Sequence, residues 1–307
     1  MATITNIRNL VNLGSNAVLG TGTKGAKPFL EKVAALWLLP AGFALNGDVA
    51  LDEAYVLQLQ AEGNLVILNG IRGFTDESQD NSTEELEDGT ISVTKLGKYG
   101  FAANFINGFM FNAALAAVSG FGSYDILFID RMGNVLGTES NSGSLKGFTT
   151  GMIQQNKITW ATDTTIQREG IKWQFLERAE LDTNYFLIKQ LELNFNPKSM
   201  EGINEVRLDM TVPADLATTI VVKAVTKQDG KAFIGALLAD FLVKKNGATI
   251  TPTGVVESPN GIYTFTVAAL ATNDDLTVGL YNSVDSVEVI TLDSTLFKSN
   301  SSFATVI

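Results

Sequence analysis

A dense group of acidic side chains is the first feature that could carry chemistry. Seven acids fall within thirteen residues of the chain, namely Asp76, Glu77, Asp80, Glu84, Glu85, Glu87 and Asp88. Clustered carboxylates are calcium ligands, but this run lacks the alternating acids, the glycine and the final glutamate of an EF-hand loop. Because a run of like charges repels itself, we expect a solvated or subunit-bridging loop.

A glycine-rich segment near the N-terminus is the second candidate. Gly20, Gly22 and Gly25 fit the spacing G-x-G-x-x-G, which surrounds a phosphate with backbone N–H groups at a helix N-terminus, and Asp48 would be a ribose ligand. Such a nucleotide site also needs alternating strands and helices, whereas the downstream patterns are typical of hairpins. We therefore interpret residues 14–25 as a polar arm that becomes ordered across a neighbouring subunit.

Two residue types are missing from the whole chain of 307 residues, histidine and cysteine. Their absence excludes imidazole bases, Ser-His-Asp and Cys-His nucleophiles, thiolate chemistry, disulfides and zinc sites built on these ligands. Paired carboxylates could still act on glycosides, but any two of the 33 acids satisfy so general a pattern. We expect no enzymatic activity, no cofactor and no metal site.

The charge balance is strongly acidic, with 22 basic residues against 33 acids and a net charge of −11. Tight binding to nucleic acid needs cations that neutralise phosphates, so we expect no sequence-specific DNA contact. An acidic lumen would still suit a conduit, because like charge keeps a passing polyanion mobile. The first residues contain no basic segment followed by an apolar one, so no signal peptide is predicted.

A stretch without charge covers residues 101–121 and is long enough to cross a membrane. The side chains of Asn104, Asn107 and Asn112 would need partners inside the bilayer, and no basic flank sets an orientation. We therefore predict a buried or subunit-facing helix from about Phe105 to Val118, and no membrane span.

Periodicity in the rest of the N-terminal part predicts one helix and many strands. Apolar residues at helical spacing between two prolines predict a helix over 29–39. Alternation over 55–59, a turn and an apolar return over 65–68 predict a hairpin. Further strands are predicted at 91–93, 124–130, 158–160, 171–175, 191–195 and 206–210, and Trp37, Trp160 and Trp173 are predicted core residues.

The composition changes around Thr211, Val212 and Pro213, where we place a domain boundary. Beyond it, short strands separated by turn signals follow the rhythm of an immunoglobulin-like sandwich. The predicted fold class is mainly β. A β-sandwich or barrel-like core with one or two flanking helices would occupy residues 1–210, and an immunoglobulin-like β-sandwich would occupy residues 211–307.

Residues 95–181 contain a strand, a helix, an apolar strand, a Gly-Asn hairpin and a Lys-Gly-Phe return. The parts are Lys98-Tyr99-Gly100-Phe101, the helix within 109–121, the strand 124–130, Gly133-Asn134-Val135-Leu136-Gly137-Thr138 and Leu145-Lys146-Gly147-Phe148. This pattern resembles a group of tail proteins from phages and prophages of Bacteroidetes-type hosts. The resemblance implies a tail-tube-like β-sandwich with a flanking helix and a long loop, often hexameric, sometimes followed by an immunoglobulin-like domain.

The resemblance and the composition together predict a structural virion protein that forms rings of a phage tail or neck and a conduit for DNA. Its partners would be further copies of itself and other virion proteins. It would be made in the host cytoplasm and located in the virion, with the polar arm and the acidic run as assembly segments. Two alternatives stay open: a capsid or head-decoration protein, and a surface adhesin whose C-terminal sandwich contacts a receptor or glycan.

Overall fold

Backbone hydrogen bonding in the computed structural model is mainly of the β type. The structure describes residues 31–140, 144–283, 287–293 and 295–307. Strands account for 46% of the described residues and helices for 12%, so the predicted mainly-β class with flanking helices is confirmed. The chain divides into two compact units, Met1–Met200 and Glu201–Ile307. The predicted boundary at Thr211 lies within the second of these units.

The first unit contains one branched sheet of eleven strands and a separate two-stranded sheet. Its strands are β1 (Val33–Pro40), β2 (Val66–Asn69), β3 (Gly73–Asp76), β4 (Ser82–Glu85), β5 (Ile91–Lys95), β6 (Gly100–Phe105), β7 (Gly120–Phe121), β8 (Tyr124–Asp130), β9 (Val135–Glu139), β10 (Leu145–Lys146), β11 (Phe148–Gln155), β12 (Glu169–Phe175) and β13 (Tyr185–Ile188). Its helices are α1 (Glu53–Ala61), α2 (Phe109–Val118) and α3 (Arg178–Asp182).

Hydrogen bonds order the main path of this sheet as β10-β9-β8-β11-β12-β6-β3. Strand β1 pairs with β2 and β8, β13 pairs with β9, and β7 pairs with β11. Strands β4 and β5 pair only with each other among the described strands, as a separate two-stranded sheet. The path from β8 to β3 therefore connects the middle of the unit to the segment that carries the acidic run.

Strand β1 is buried on both faces. Ala35, Trp37 and Leu39 pack in one hydrophobic core together with α1, whereas Leu36 and Leu38 pack in a second core with α2, β6, β11 and β12. The predicted helix over 29–39 is therefore wrong from residue 33 onward, and residues 29 and 30 lie outside the described residues. A run buried on both faces loses its alternation, so its periodicity cannot be distinguished from that of a buried helix.

The predicted hairpin over 55–68 is half wrong. Residues 53–61 form α1, whose N-cap is Asp52: its carboxylate accepts a hydrogen bond from the Tyr55 N–H at 2.9 Å. Val56, Leu59 and Gln60 are buried, which is helical spacing and outweighs the alternation read from the sequence. The predicted return strand exists as β2, which pairs with β1.

The predicted helix over 105–118 begins later than expected. Phe105 ends strand β6, and α2 then covers Phe109–Val118 with Leu115 and Val118 as its buried residues. The strand predicted over 191–195 is also wrong, because residues 190–192 form a short 3-10 turn. In the second case Leu193 and Phe195 are buried although they belong to no helix or strand, so their alternation does not indicate a strand.

Four predicted strands match observed ones: 91–93 lies within β5, 124–130 is β8, 171–175 lies within β12, and 206–210 lies within the strand Asn204–Met210 of the second unit. The strand predicted over 158–160 is reduced to a single bridge between Thr159 and Arg168. Trp37 and Trp173 are buried as predicted, but Trp160 is 62% exposed and is not a core residue.

The second unit is a sandwich of two sheets around one hydrophobic core. Its strands are β14 (Asn204–Met210), β15 (Thr219–Thr226), β16 (Phe241–Lys245), β17 (Ala248–Ile250), β18 (Gly254–Ser258), β19 (Ile262–Thr266), β20 (Asp275–Leu280), β21 (Val289–Leu292), β22 (Thr295–Ser299) and β23 (Ser302–Thr305). One sheet has the order β18-β19-β15-β14-β22-β21, and the other has the order β17-β16-β20-β23. Residues of both sheets share the core. An immunoglobulin-like relationship for this sandwich stays a prediction.

The chain passes from one sheet of the sandwich to the other between β22 and β23. At this step the Asn300 side chain accepts a hydrogen bond from the Leu208 N–H at 2.9 Å and donates one to its carbonyl at 3.1 Å. The Ser302 hydroxyl accepts a bond from the Met210 N–H at 2.9 Å. Pairing of β14 with β22 ends at Val206, and these side chains satisfy the β14 backbone beyond that point. Strand β14 is therefore an integral part of the second unit.

The position of β14 predicts how fragments fold. A fragment of residues 201–307 should unfold cooperatively in urea, whereas a fragment starting at residue 212 should not, because it lacks β14 and the buried Val206 and Leu208. Burial of each side chain contributes about 1.5–3 kcal/mol, and the loss also unpairs β15 and β22. Cooperative unfolding of the shorter fragment with equal stability would contradict this assignment of β14.

Candidate functional site

The residues predicted to take part in assembly fall in two regions. Gly20, Gly22 and Gly25, like the whole arm over 14–25, lie outside the described residues. The acids lie on one segment that leaves the main sheet at the end of β3 and returns at the start of β6: Asp76 ends β3, Glu84 and Glu85 belong to β4, and Glu77, Asp80, Glu87 and Asp88 lie in the connecting stretches. All of these acids are exposed.

The acids of residues 76–88 are exposed as predicted, but the segment is not a loop throughout. Strands β4 and β5 form an antiparallel hairpin. Thr83 pairs with Val93, Glu84 with Ser92 and Glu85 with Ile91. β-branched residues on both strands favour this extended conformation, and they outweigh the repulsion between neighbouring carboxylates that face water. We refer to residues 77–98 as the acidic hairpin.

The turn of the acidic hairpin is closed by local hydrogen bonds. The Leu86 N–H donates to the Thr90 carbonyl, and the Gly89 N–H donates to the Leu86 carbonyl, each at 2.8 Å. The Asp88 carboxylate accepts bonds from the Thr90 hydroxyl and N–H, which lower the pKa of Asp88. Gly89 has a φ of +78°, so Asp88-Gly89 is a turn signal that could have revealed the hairpin in the sequence.

Neither strand of the acidic hairpin has a buried residue. Ile91 and Val93 are 72% and 51% exposed and share one face, while Leu86 and Leu96 are also exposed. A two-stranded hairpin without a packed face is only marginally stable in water. Its apolar side chains and free carboxylates are therefore available to a partner.

The base of the acidic hairpin is held in place. The Asn81 side-chain oxygen accepts hydrogen bonds from the Gly97 N–H at 2.9 Å and from the Arg178 guanidinium at 2.8 Å. Arg178 also pairs with Asp182 at 2.8 Å, and its guanidinium lies 5.6 Å from the centre of the Tyr99 ring. The hairpin projects from an anchored base formed with α3.

Hydrogen bonding shifts the pKa values of two side chains at this base. The hydrogen bond from Tyr99 to Asp182, at 2.5 Å, raises the pKa of Tyr99. Burial alone would raise the pKa of Asp182, but the bonds from Tyr99 and Arg178 lower it overall. The sequence analysis did not single out Tyr99, Arg178 or Asp182. The i, i+4 spacing of Arg178 and Asp182 was the available signal.

A second charged cluster is buried inside the first unit. Lys146 pairs with Glu180 at 2.9 Å, and Glu180 also accepts hydrogen bonds from the N–H and hydroxyl of Thr149. Asp125 is 1% exposed; one of its oxygens accepts the Gly42 N–H at 2.8 Å, and the other has no hydrogen-bond partner among the described residues. Burial raises the pKa of Asp125 overall; the Gly42 N–H and Lys146 oppose this shift, and Glu180 adds to it.

The raised pKa of Asp125 predicts a pH dependence of stability. The folded chain keeps this proton to a higher pH than the unfolded chain, whose aspartates titrate near 4. Stability from this group is therefore complete below about pH 4 and is lost as the pH rises through the folded pKa. Asp125→Asn should be more stable than the wild type at pH 7.5 by about 1–2 kcal/mol, because it removes a buried, incompletely paired charge.

Urea unfolding of the full chain at pH 4 and pH 7.5 tests this expectation. The advantage of Asp125→Asn should shrink towards zero at pH 4. The exposed Asp209→Asn is the control and should show no such trend. An equal difference at both pH values would show that Asp125 is not destabilised by its charge.

Among residues 31–140, 144–283, 287–293 and 295–307, no group of three or more acidic side chains is arranged to hold a metal ion. In the same residues no helix has both the length and the apolar character needed to cross a membrane. No protein-family model matches the chain, and no curated protein sequence matches it either.

Proposed function

We propose that this protein is a structural subunit of a phage tail or neck that self-assembles into rings around a passage for DNA. The observation that carries the proposal is the acidic hairpin, which projects from an anchored base with every strand residue exposed. An element that buries nothing within its own chain gains stability when a neighbouring copy packs against it.

The charges of the hairpin support the same role. Glu84, Glu85 and Glu87 make no ion pair or hydrogen bond with any described residue, so their carboxylates are free to meet cations on a neighbour. The net charge of −11 supports a passage for DNA, because an acidic wall repels phosphates and does not retain them.

Sedimentation velocity and electron microscopy of the purified full chain test the proposal. We expect ring-shaped particles that are multiples of the 32.9 kDa chain. A monomer at all concentrations would overturn the proposal and would favour the adhesin alternative. Closed shells, or particles that form only on a capsid, would favour the capsid or head-decoration alternative.

Removal of charge from the hairpin should weaken assembly without weakening the fold. The triple variant Glu84→Gln, Glu85→Gln and Glu87→Gln should need a several-fold higher concentration to assemble, because contacts with cations on a neighbour are lost. Its melting temperature should stay within about 2 °C of the wild type, since exposed substitutions change stability by about 0.5 kcal/mol or less.

The matched control carries Glu53→Gln, Asp209→Asn and Glu288→Gln, three exposed acids outside the hairpin. It should assemble like the wild type in sedimentation velocity at the same ionic strength. Raising the salt concentration should reduce the difference between the wild type and the hairpin variant, because exposed charges are screened over about 8 Å at physiological ionic strength. Equal assembly of the two triple variants would contradict a role for the hairpin acids.

A further inference from the structure

A second exposed surface in the first unit is apolar and aromatic. Phe109 and Met110 at the start of α2 are 55% and 53% exposed, and the Phe109 ring lies 5.5 Å from the ring of Trp160, which is 62% exposed. Ile106 precedes α2 and Ile166 lies in the same loop as Trp160, and these two residues are 41% and 52% exposed. We refer to these five residues as the α2 patch. An exposed aromatic pair with further exposed apolar residues on the same segments is typical of a site of protein association.

The α2 patch is held on ordered elements. The Gln155 side chain at the end of β11 donates hydrogen bonds to the backbone carbonyl and the side-chain oxygen of Asn112 in α2, each at 2.7 Å. The loop that carries Trp160 is closed by two hydrogen bonds between Thr159 and Arg168, each at 3.0 Å. The patch is thus positioned by the ends of β11 and β12 and needs little ordering when a partner binds.

Three basic residues lie next to the segments that carry the α2 patch. Lys157 and Arg168 border the loop of Trp160, and Arg72 is joined to the end of β6 by its N–H bond to the Asn104 carbonyl. All three are exposed, and none of them forms an ion pair with a described residue. Asp163 is the one exposed acid of the loop over 156–168. The rim of the patch is therefore positive, in a chain that is acidic overall.

The acidic hairpin has complementary properties. Its Ile91 and Val93 form an apolar face, and Glu85 lies directly opposite Ile91 across the hairpin. Leu86 and Leu96 add exposed apolar surface near the turn and the base. An apolar face with an acidic border matches an aromatic face with a basic border, and such complementarity sets the register of an interface.

The two surfaces lie at opposite ends of the same strands. The hairpin joins the sheet where Glu77 donates its N–H to the Gly100 carbonyl, at the first residue of β6. The patch begins beyond Phe105, the last residue of β6, which pairs with Glu169 at the start of β12. Six strand residues separate the two ends by roughly 17–20 Å. Because the base of the hairpin is anchored to Arg178 beyond the far end of β12, a hairpin that contacts the patch must belong to another copy.

We propose that the α2 patch of one copy receives the acidic hairpin of a second copy. This inference rests on the proposed function and names the contact that would build the ring or stack. Each copy carries one hairpin and one patch at opposite ends, so the contact is head-to-tail. Repetition of such a contact closes into a ring when the rotation between copies allows it, and otherwise extends as a filament.

A charge exchange tests the pairing. In the patch variant, Lys157→Glu and Arg168→Glu make the rim acidic; in the hairpin variant, Glu85→Lys and Glu87→Lys make the hairpin basic. Each variant alone should need at least about tenfold more protein to assemble, because like charges then face each other. An equimolar mixture should assemble at close to the wild-type concentration, since each altered surface finds its opposite on the other variant.

The control replaces two exposed lysines of the second unit, Lys223→Glu and Lys298→Glu, and should assemble like the wild type. Melting temperatures close to that of the wild type would show that all variants fold. Failure of the mixture to recover assembly, while the wild type assembles, would overturn the pairing and leave the proposed function standing. A wild type that never assembles would overturn both.

Tryptophan fluorescence supplies an independent readout. Trp37 and Trp173 are 1% and 3% exposed, so a soluble quencher such as iodide reports mainly on Trp160. Quenching should fall when the wild type assembles and should remain high in each charge variant alone. Deletion of residues 1–30 should leave this protection intact. Loss of protection on that deletion, together with no effect of the charge exchange, would assign the patch to the N-terminal segment and overturn the proposal.

Discussion

Burial of β1 and β8 on both faces is the constraint on which the first unit depends. These paired strands separate two hydrophobic cores, and each core is completed by different elements. From β8 a continuous series of hydrogen-bonded strands runs through β11, β12 and β6 to β3, where the acidic hairpin leaves the sheet. The hairpin is therefore positioned by the most buried part of the unit, although its own strands bury nothing.

The same series of strands explains why the two exposed surfaces lie apart. Strands β6 and β12 pair antiparallel from Gly100 with Gln174 to Phe105 with Glu169. The acidic hairpin precedes β6 and the α2 patch follows it, so the two surfaces lie at opposite ends of this strand pair. The aromatic side chains of Phe74, Phe101, Phe128, Trp173 and Phe175 pack between these ends, with ring centres 5.4–6.1 Å apart. This packing connects the two ends of the strands through one aromatic core. Surfaces that are already ordered lose less entropy when they form a repeated contact.

The sequence patterns were clearest where one face of an element is buried, and they missed β1, which is buried on both faces, and β4, which is exposed on both. The alternation of β12 and β14 was readable because each strand places one face in a core. Strand β1 has no alternation to read, and the hairpin strands are exposed on both faces. The exposed position of Trp160 was unreadable for another reason: its burial depends on what packs over a loop, and local periodicity carries no such information.

By itself the sequence determined that imidazole and thiol chemistry are absent, that the net charge is negative and that strands are preferred. These properties follow from residue types and short spacings. It also determined the local turn at Asp88-Gly89 and the acidic character of the segment around it. Only the tertiary structure decided that this segment projects as an anchored hairpin, and that an aromatic patch with a basic rim lies at the other end of the same strands. Pairing between strands joins residues far apart in the chain, and its register depends on the burial of whole faces, which no local pattern records.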